Sequence, residues 1–307
     1  MKKLLFANKH SFTKEQFESL NDIDGLEVLY LDGPETQKYD MDFNDINGVV
    51  CFKFFDYNPI EQFKNLEFVH TTSTGTDQMP HKYLQENNIT LKNCPGVHSI
   101  PISEFVLCSV LQIYKKSHKL KAQQREHKWE CDWNLVELYK KRVLILGTGS
   151  IGSHCAKRFK AFDTNVIGVD PFPKNDGSFD EIYTMDKMDE ELAKADVVVN
   201  CIPLFDNTYH LIDKHCFDLM KNEAVFVNIT RGPVVDTEAL LDTLESGKLM
   251  GAAVDVFEQE PLPADSRFWD IDRLLISAHN SFAGEGNAER IFGCIYSDIK
   301  DWVAASK

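Results

Sequence analysis

The sequence predicts an α/β protein of two domains, each built on a parallel β-sheet. Three observations predict it. Short apolar runs alternate with longer helix-like stretches along the chain, as βαβ units require. The runs of the second half are rich in Val, Ile and Leu without strict alternation, as expected of strands covered on both faces. A chain of 307 residues is long enough for two domains of roughly 100–200 residues each.

In the first domain the spacing predicts strands at 3–7, 26–31, 48–52 and 68–71, with polar, partly periodic segments such as 13–20 between them. A long helix follows from Pro101, since proline suits a first helical turn and Ile102, Phe105, Val106, Val110 and Ile113 share one face. The charged stretch 115–130 is expected to continue that helix as a solvated face. A second strand series falls at 142–146, 165–170, 196–202, 224–229, 251–257 and 274–277, and 287–303 reads as a closing helix. The boundaries expected are 1–100 plus 281–307 for one domain and 101–280 for the other.

Composition narrows the partners. With 33 Lys plus Arg against 48 Asp plus Glu, the formal charge is −15, which lacks the basic footprint that holds nucleic acid or anionic lipid. No apolar run approaches membrane-spanning length, and the start holds only four apolar residues before Asn8, too few for a signal-peptide core. Eight cysteines are scattered with no C-x-x-C pair. They are read as free thiols in a reducing cytoplasm, and no metal site is expected.

The chemistry begins at Gly147-Thr148-Gly149-Ser150-Ile151-Gly152, directly after the 142–146 strand. After a strand, opening a helix, and with Asp170 another 18 residues on, G-x-G-x-x-G is a dinucleotide fingerprint. Gly147 permits the tight turn, Gly149 lets a pyrophosphate reach N–H groups at the helix N-terminus, and Gly152 lets helix and strand pack closely. Asp170 would accept bonds from the adenosine ribose and repel a 2′-phosphate, and Pro171-Phe172-Pro173 offers no cation to bind one. NAD is therefore expected over NADP. S-adenosylmethionine on a similar turn is the competing ligand.

Three more segments, each at the end of an expected strand, supply a guanidinium at Arg231, a carboxylate at Glu260 and an imidazole at His279. Open α/β sheets place ligands at such strand ends. Glu258 lies two positions from Glu260 and competes for its role, and Asp255 could simply cap its strand.

With the glycine turn, these segments resemble the D-2-hydroxyacid dehydrogenase family, which includes D-lactate, glyoxylate, hydroxypyruvate and 3-phosphoglycerate dehydrogenases. The likeness runs over nearly the whole chain. It takes in Ser73-Thr74-Gly75-Thr76-Asp77, similar to the family's substrate-carboxylate loop, and Cys201-Ile202-Pro203-Leu204 through Thr208. The resemblance implies two Rossmann-like domains, the first flavodoxin-like and completed by the C-terminal helix, with an active site in the cleft between them and a homodimer. It implies that Arg231 binds the carboxylate and carbonyl oxygen of a small 2-oxoacid, with Thr74, Gly75 and Thr76 assisting. His279 would be the general acid, with Glu260 fixing its tautomer and favouring its protonated form. Gly147, Gly149, Ser150, Ile151, Gly152, Asp170, Pro203, Thr208, Thr230 and Asp255 would hold the cofactor, Asp255 at the nicotinamide carboxamide and Thr230 along the ring pocket.

One departure is Ala278, where the family pattern has proline before its histidine. Phe54 would suit an apolar substrate side chain and Lys53 a second anion, against packing between helices as the plain alternative. Trp129 and Trp133 would lie at the dimer interface or cover a partner's cleft. A protein that senses NAD(H), as corepressors on this fold do, is the alternative to an enzyme.

Overall fold

The computed structural model describes residues 1–8, 12–174 and 176–305. The chain divides into two units, Met1–His98 with Gly284–Lys307, and Ser99–Ala283. Each is an α/β unit with its own wholly parallel sheet.

The first unit holds β1 (Lys2–Phe6), β2 (Leu26–Tyr30), β3 (Gly48–Cys51), β4 (Phe68–Thr71) and β5 (Thr90–Lys92) in the order β2-β1-β3-β4-β5. This is the flavodoxin-like winding. Alternate residues serve opposite faces. Leu5, Val49, Cys51 and Val69 enter one apolar cluster, while Leu4, Phe6, Val50 and Phe68 join Phe292, Ile295 and Ile299 of the helix Asn287–Ala305 in another. That C-terminal helix therefore covers one face of the N-terminal sheet. Thr13 caps the first helix, Lys14–Leu20, by accepting from Gln16 N at 3.2 Å.

The second unit continues with β6 (Arg142–Leu146), β7 (Asn165–Val169), β8 (Glu181–Tyr183), β9 (Val197–Asn200), β10 (Val225–Asn228), β11 (Gly251–Val254) and β12 (Leu274–Ile276), ordered β12-β11-β10-β9-β6-β7-β8. Leu144, Leu146, Val198, Phe226 and Val254 pack on one side, and Val143, Ile145, Val197, Val199 and Val227 on the other. Both sides of these strands are buried, which is why the sequence shows no polar alternation. Each such side chain contributes about 1.5–3 kcal/mol of burial. Strand order reverses at β6, flanked by β7 and β9, and that switch point is where such sheets open a crevice for ligand.

Two expectations need correction. The long helix runs Ser99–Tyr114 and stops. The Tyr114 carbonyl accepts Val136 N at 3.1 Å, Lys116 turns left-handed (φ 48°), and a separate helix, Ser117–Arg125, follows. Strands β5 and β8 were not anticipated; each is a three-residue edge strand, too short for a periodic signal. No helix among the described residues is long and apolar enough to cross a membrane.

Candidate active site

The glycine turn sits at the carboxyl end of β6. Gly147 adopts φ +97°, open to glycine at little cost. A Cβ on Gly152 would stand 2.0 Å from the Gly147 carbonyl oxygen, so the helix Ser150–Lys160 approaches the turn closely only because that side chain is missing. Around Gly149, by contrast, a Cβ would meet nothing within 4 Å, and no side chain caps this helix. The protein itself does not require glycine at 149, so the open space and uncapped N–H groups there form a cradle for an anion. Asp170 closes the turn. Its Oδ2 accepts Thr148 N at 2.7 Å and its Oδ1 accepts Phe172 N at 2.8 Å, which leaves lone pairs on both oxygens for ribose hydroxyls.

Arg231, Glu260 and His279 follow β10, β11 and β12, three neighbouring strands. A Cβ on Gly232 would lie 1.9 Å from the Phe257 carbonyl carbon, so glycine there is what lets the segment after β10 lie against the one after β11. Arg231 is half-buried and donates from Nη1 to the Thr230 carbonyl at 2.8 Å. Glu260 Oε1 accepts Phe257 N at 3.0 Å, and its Oε2 lies 2.8 Å from Nδ1 of His279. Glu258 is turned elsewhere: its Oε1 accepts Thr237 N at 3.2 Å and stands 3.2 Å from His210 Nε2. Of the two rival carboxylates, the one beside Pro261 meets the imidazole.

Asp255 holds the loop that carries His279. Asp255 is 1% exposed. It accepts Ser277 Oγ and Ser281 Oγ at 2.5 Å each, Asn280 N at 2.9 Å and Ser281 N at 3.1 Å. The Asp255 carbonyl accepts His279 N at 2.8 Å. His279 itself sits at φ 50°, a left-handed conformation that costs a non-glycine residue roughly 1 kcal/mol or more and needs such support. A carboxamide partner at Asp255 would have to exchange with bonds already made, so the visible work of this residue is positioning. The bonds to Asp255 restrain the segment where the family pattern relies on proline at 278.

The remaining expected residues fall as follows. Ser150 and Gly149 are exposed and Ile151 half-buried at the helix start. Pro203 is exposed, its carbonyl accepting Thr208 Oγ1 at 2.8 Å. Thr230 is buried with its hydroxyl against the amides of Asn200 and Asn228, at 3.2 and 3.3 Å. Asn200 and Asn228 pair across the last rung of β9 and β10, and Asn228 Nδ2 donates to the Arg231 carbonyl at 3.4 Å. Sequence reasoning missed both, although an asparagine ending an apolar strand was the available signal. In the first unit Thr74 Oγ1 donates to the Cys94 carbonyl at 3.0 Å, and the Gly75 and Thr76 carbonyls are engaged by Ser73 Oγ and His81 Nε2. Phe54 is a correction. It has no exposed surface and packs against Phe43, Phe55 and Phe63, so it is core and cannot wall a substrate. Lys53 beside it is exposed.

Residues 107–281, more than half of the chain, match the family model for the D-isomer specific 2-hydroxyacid dehydrogenase, NAD binding domain. The chain belongs to this family. The D-lactate dehydrogenase of Treponema pallidum is 36% identical over 289 residues, 87% of this chain and 86% of that protein. The D-3-phosphoglycerate dehydrogenase of Methanocaldococcus jannaschii is 31% identical over 78% of this chain, and the match spans only 46% of that longer protein. A crystal structure of a family member from Aeromonas salmonicida, 27% identical, superposes with a TM-score of 0.84 over 99% of this chain and 96% of that one.

The cradle at Gly149 has the form that the pyrophosphate of a dinucleotide would need. Gly149→Ala is then expected to leave thermal stability within about 1 kcal/mol of the parent, because nothing stands within 4 Å of the new methyl. It should raise the NADH dissociation constant by on the order of tenfold, from the loss of one charge-assisted contact. Tryptophan-quench titration beside a thermal melt checks both; unaltered NADH affinity would place the pyrophosphate elsewhere.

Proposed function

We propose that this chain is an NAD-dependent oxidoreductase that reduces a small 2-oxoacid to the D-2-hydroxyacid, with His279 as general acid and, in reverse, general base. One observation carries the reading: Glu260 Oε2 holds Nδ1 of His279 at 2.8 Å. That leaves Nε2 to pass a proton to a substrate oxygen, and Glu260 is itself oriented by Phe257 N. A base held by an orienting partner is the arrangement that proton transfer needs.

Bound NADH supplies the hydride that reaches the carbonyl carbon. The chain's own residues do the rest. Arg231 donates to the substrate's carboxylate and carbonyl oxygen through a fork that is always charged. His279 delivers the proton to the carbonyl oxygen, and Glu260 keeps that imidazole in one tautomer. Thr74, Gly75 and Thr76 are assigned to the carboxylate. Asp170 faces the adenosine ribose, where a 2′-phosphate would meet a like charge at a cost of several kcal/mol, so NADH should exceed NADPH in kcat/KM by on the order of 10². Trp129 and Trp133, 99% and 90% exposed, support a homodimer joined through that face. The reducing cytoplasm expected from the cysteines is retained.

The test is a panel of pyruvate, glyoxylate, hydroxypyruvate, 2-oxoisocaproate and phosphohydroxypyruvate, each with NADH and with NADPH, followed at the nicotinamide absorbance. Turnover of at least one acid, with NADH favoured, is the expected result. Tight NADH binding without turnover of any acid would support the NAD(H)-sensing alternative, and an NADPH preference would overturn the role given to Asp170.

A further inference from the structure

Inside the first unit a second cluster of reactive side chains lies outside the proposed reaction. His70 is on β4, Cys94 lies two residues beyond β5, and Cys294 and Asp298 stand one turn apart on the helix Asn287–Ala305. A ligand atom from each of His70, Cys94 and Cys294 falls within 4.8 Å of the others. His70 and Cys94 have no exposed surface, while Asp298, 21% exposed, leads to solvent.

The hydrogen bonding sets this cluster apart from ordinary packing. Nδ1 of His70 lies 2.9 Å from the Thr71 carbonyl oxygen. A carbonyl only accepts, so Nδ1 carries the proton. In the neutral ring Nε2 is then a bare lone pair, yet it faces Asp298 Oδ2 at 3.1 Å, and a carboxylate oxygen is also an acceptor. Two acceptors at that distance repel unless a proton or a cation joins them. Lys92 Nζ neutralises Asp298 only from its other oxygen, at 3.6 Å. Both sulfurs have weak backbone partners: Cys94 Sγ is 3.7 Å from the Thr71 carbonyl and Cys294 Sγ 3.6 Å from that of Asn93.

We propose that Cys94, Cys294 and His70 Nε2 form a site for one divalent cation of the zinc class, with the Asp298 carboxylate beside the imidazole. Two thiolates and an imidazole are ligands that tetrahedral zinc accepts, with the fourth position left to a water molecule. Binding breaks two S–H bonds, forms three bonds from metal to protein and one to water, and releases two protons to solvent; no electrons are transferred. The charges of the cation and the two thiolates cancel, and the Asp298 carboxylate stands beside the Lys92 ammonium. The Thr71 carbonyl on Nδ1–H is the outer partner that fixes a ligating imidazole. The cation would also brace the loop at 73–76, because Cys94 N donates to the Ser73 carbonyl and the Cys94 carbonyl accepts Thr74 Oγ1, both at 3.0 Å. Ligands at 70, 94 and 294 share no local spacing, which is why the cysteine pattern led to the expectation of no metal.

The readout is metal binding, so it stands or falls apart from turnover. The reduced, tag-free full chain is titrated with Co²⁺, the spectroscopic stand-in for Zn²⁺. One equivalent per chain should bind with a thiolate-to-cobalt charge-transfer absorption that Zn²⁺ displaces, and Zn²⁺ should raise Tm. Cys294→Ser, at a half-buried position, should abolish the absorption and the Tm response while far-UV circular dichroism and NADH binding stay as in the parent. Asp298→Asn should weaken binding by about 10–100-fold. Cys108→Ser, at an exposed cysteine elsewhere, should bind as the parent does. The proposal is overturned if the parent gives no such absorption, if the Cys94→Ser/Cys294→Ser double variant retains it, or if the freshly purified chain carries these two cysteines as a disulfide.

Discussion

Changing His279 to glutamine is expected to lower kcat for 2-oxoacid reduction by ~10²–10⁴-fold, the usual value of a positioned proton donor. NADH binding should be little altered. Glutamine can still donate an amide N–H to Glu260, so the link to the orienting carboxylate survives while the titrating group is lost. The side chain at 279 is 41% exposed, so little packing goes with it, and the left-handed backbone at 279 stays tied to the Asp255 carbonyl. Stopped-flow single turnovers separate proton delivery from product release. A glutamine variant with the parent's single-turnover rate would put the proton donor on another residue.

Asp255→Asn is expected to be the most damaging single-atom change in the second unit. Two Ser281 donors, its N–H and its hydroxyl, reach Asp255 Oδ2, and Ser277 and Asn280 donate to Oδ1, all with 1% exposure of the residue. An amide nitrogen in place of either oxygen turns an acceptor into a donor. The serine hydroxyl can rotate to accept from it, but the Ser281 N–H cannot. Losing charge-assisted bonds at about 1.5–3 kcal/mol each and burying an unpaired donor should cost ~3–5 kcal/mol. For a unit of this size that is a fall in Tm on the order of 10 °C. Activity should fall further than stability, even well below the melt, because the same residue fixes the backbone of His279. Equal stability of variant and parent would show that the Asp255 bonds do not hold the loop.

The legible parts of this molecule were those set by local chemistry. The strands at 68–71 and 142–146 were read to the residue and most others to within one or two residues, because Val/Ile/Leu runs buried on both faces leave an unbroken apolar signal. The glycine turn was legible because backbone sterics at Gly152 admit no side chain. Helix continuation past Tyr114 was misread, since charged residues at 115–130 say nothing about a carbonyl captured by Val136. Phe54 was misread as a possible wall because a ring beside an expected strand end looks the same in sequence whether it faces solvent or core.

The sequence alone determined the class of chemistry: which strands form, where a dinucleotide turn must lie, and which guanidinium, carboxylate and imidazole are available. Only the tertiary structure decided which groups touch. It set Glu260 rather than Glu258 on His279, wrapped the histidine loop around Asp255, and gathered His70, Cys94 and Cys294, with Asp298 against His70. The physical reason is range. Propensity and periodicity act over a few residues, whereas hydrogen bonds and ligand sets join groups that only sheet order and helix packing bring within a few ångströms.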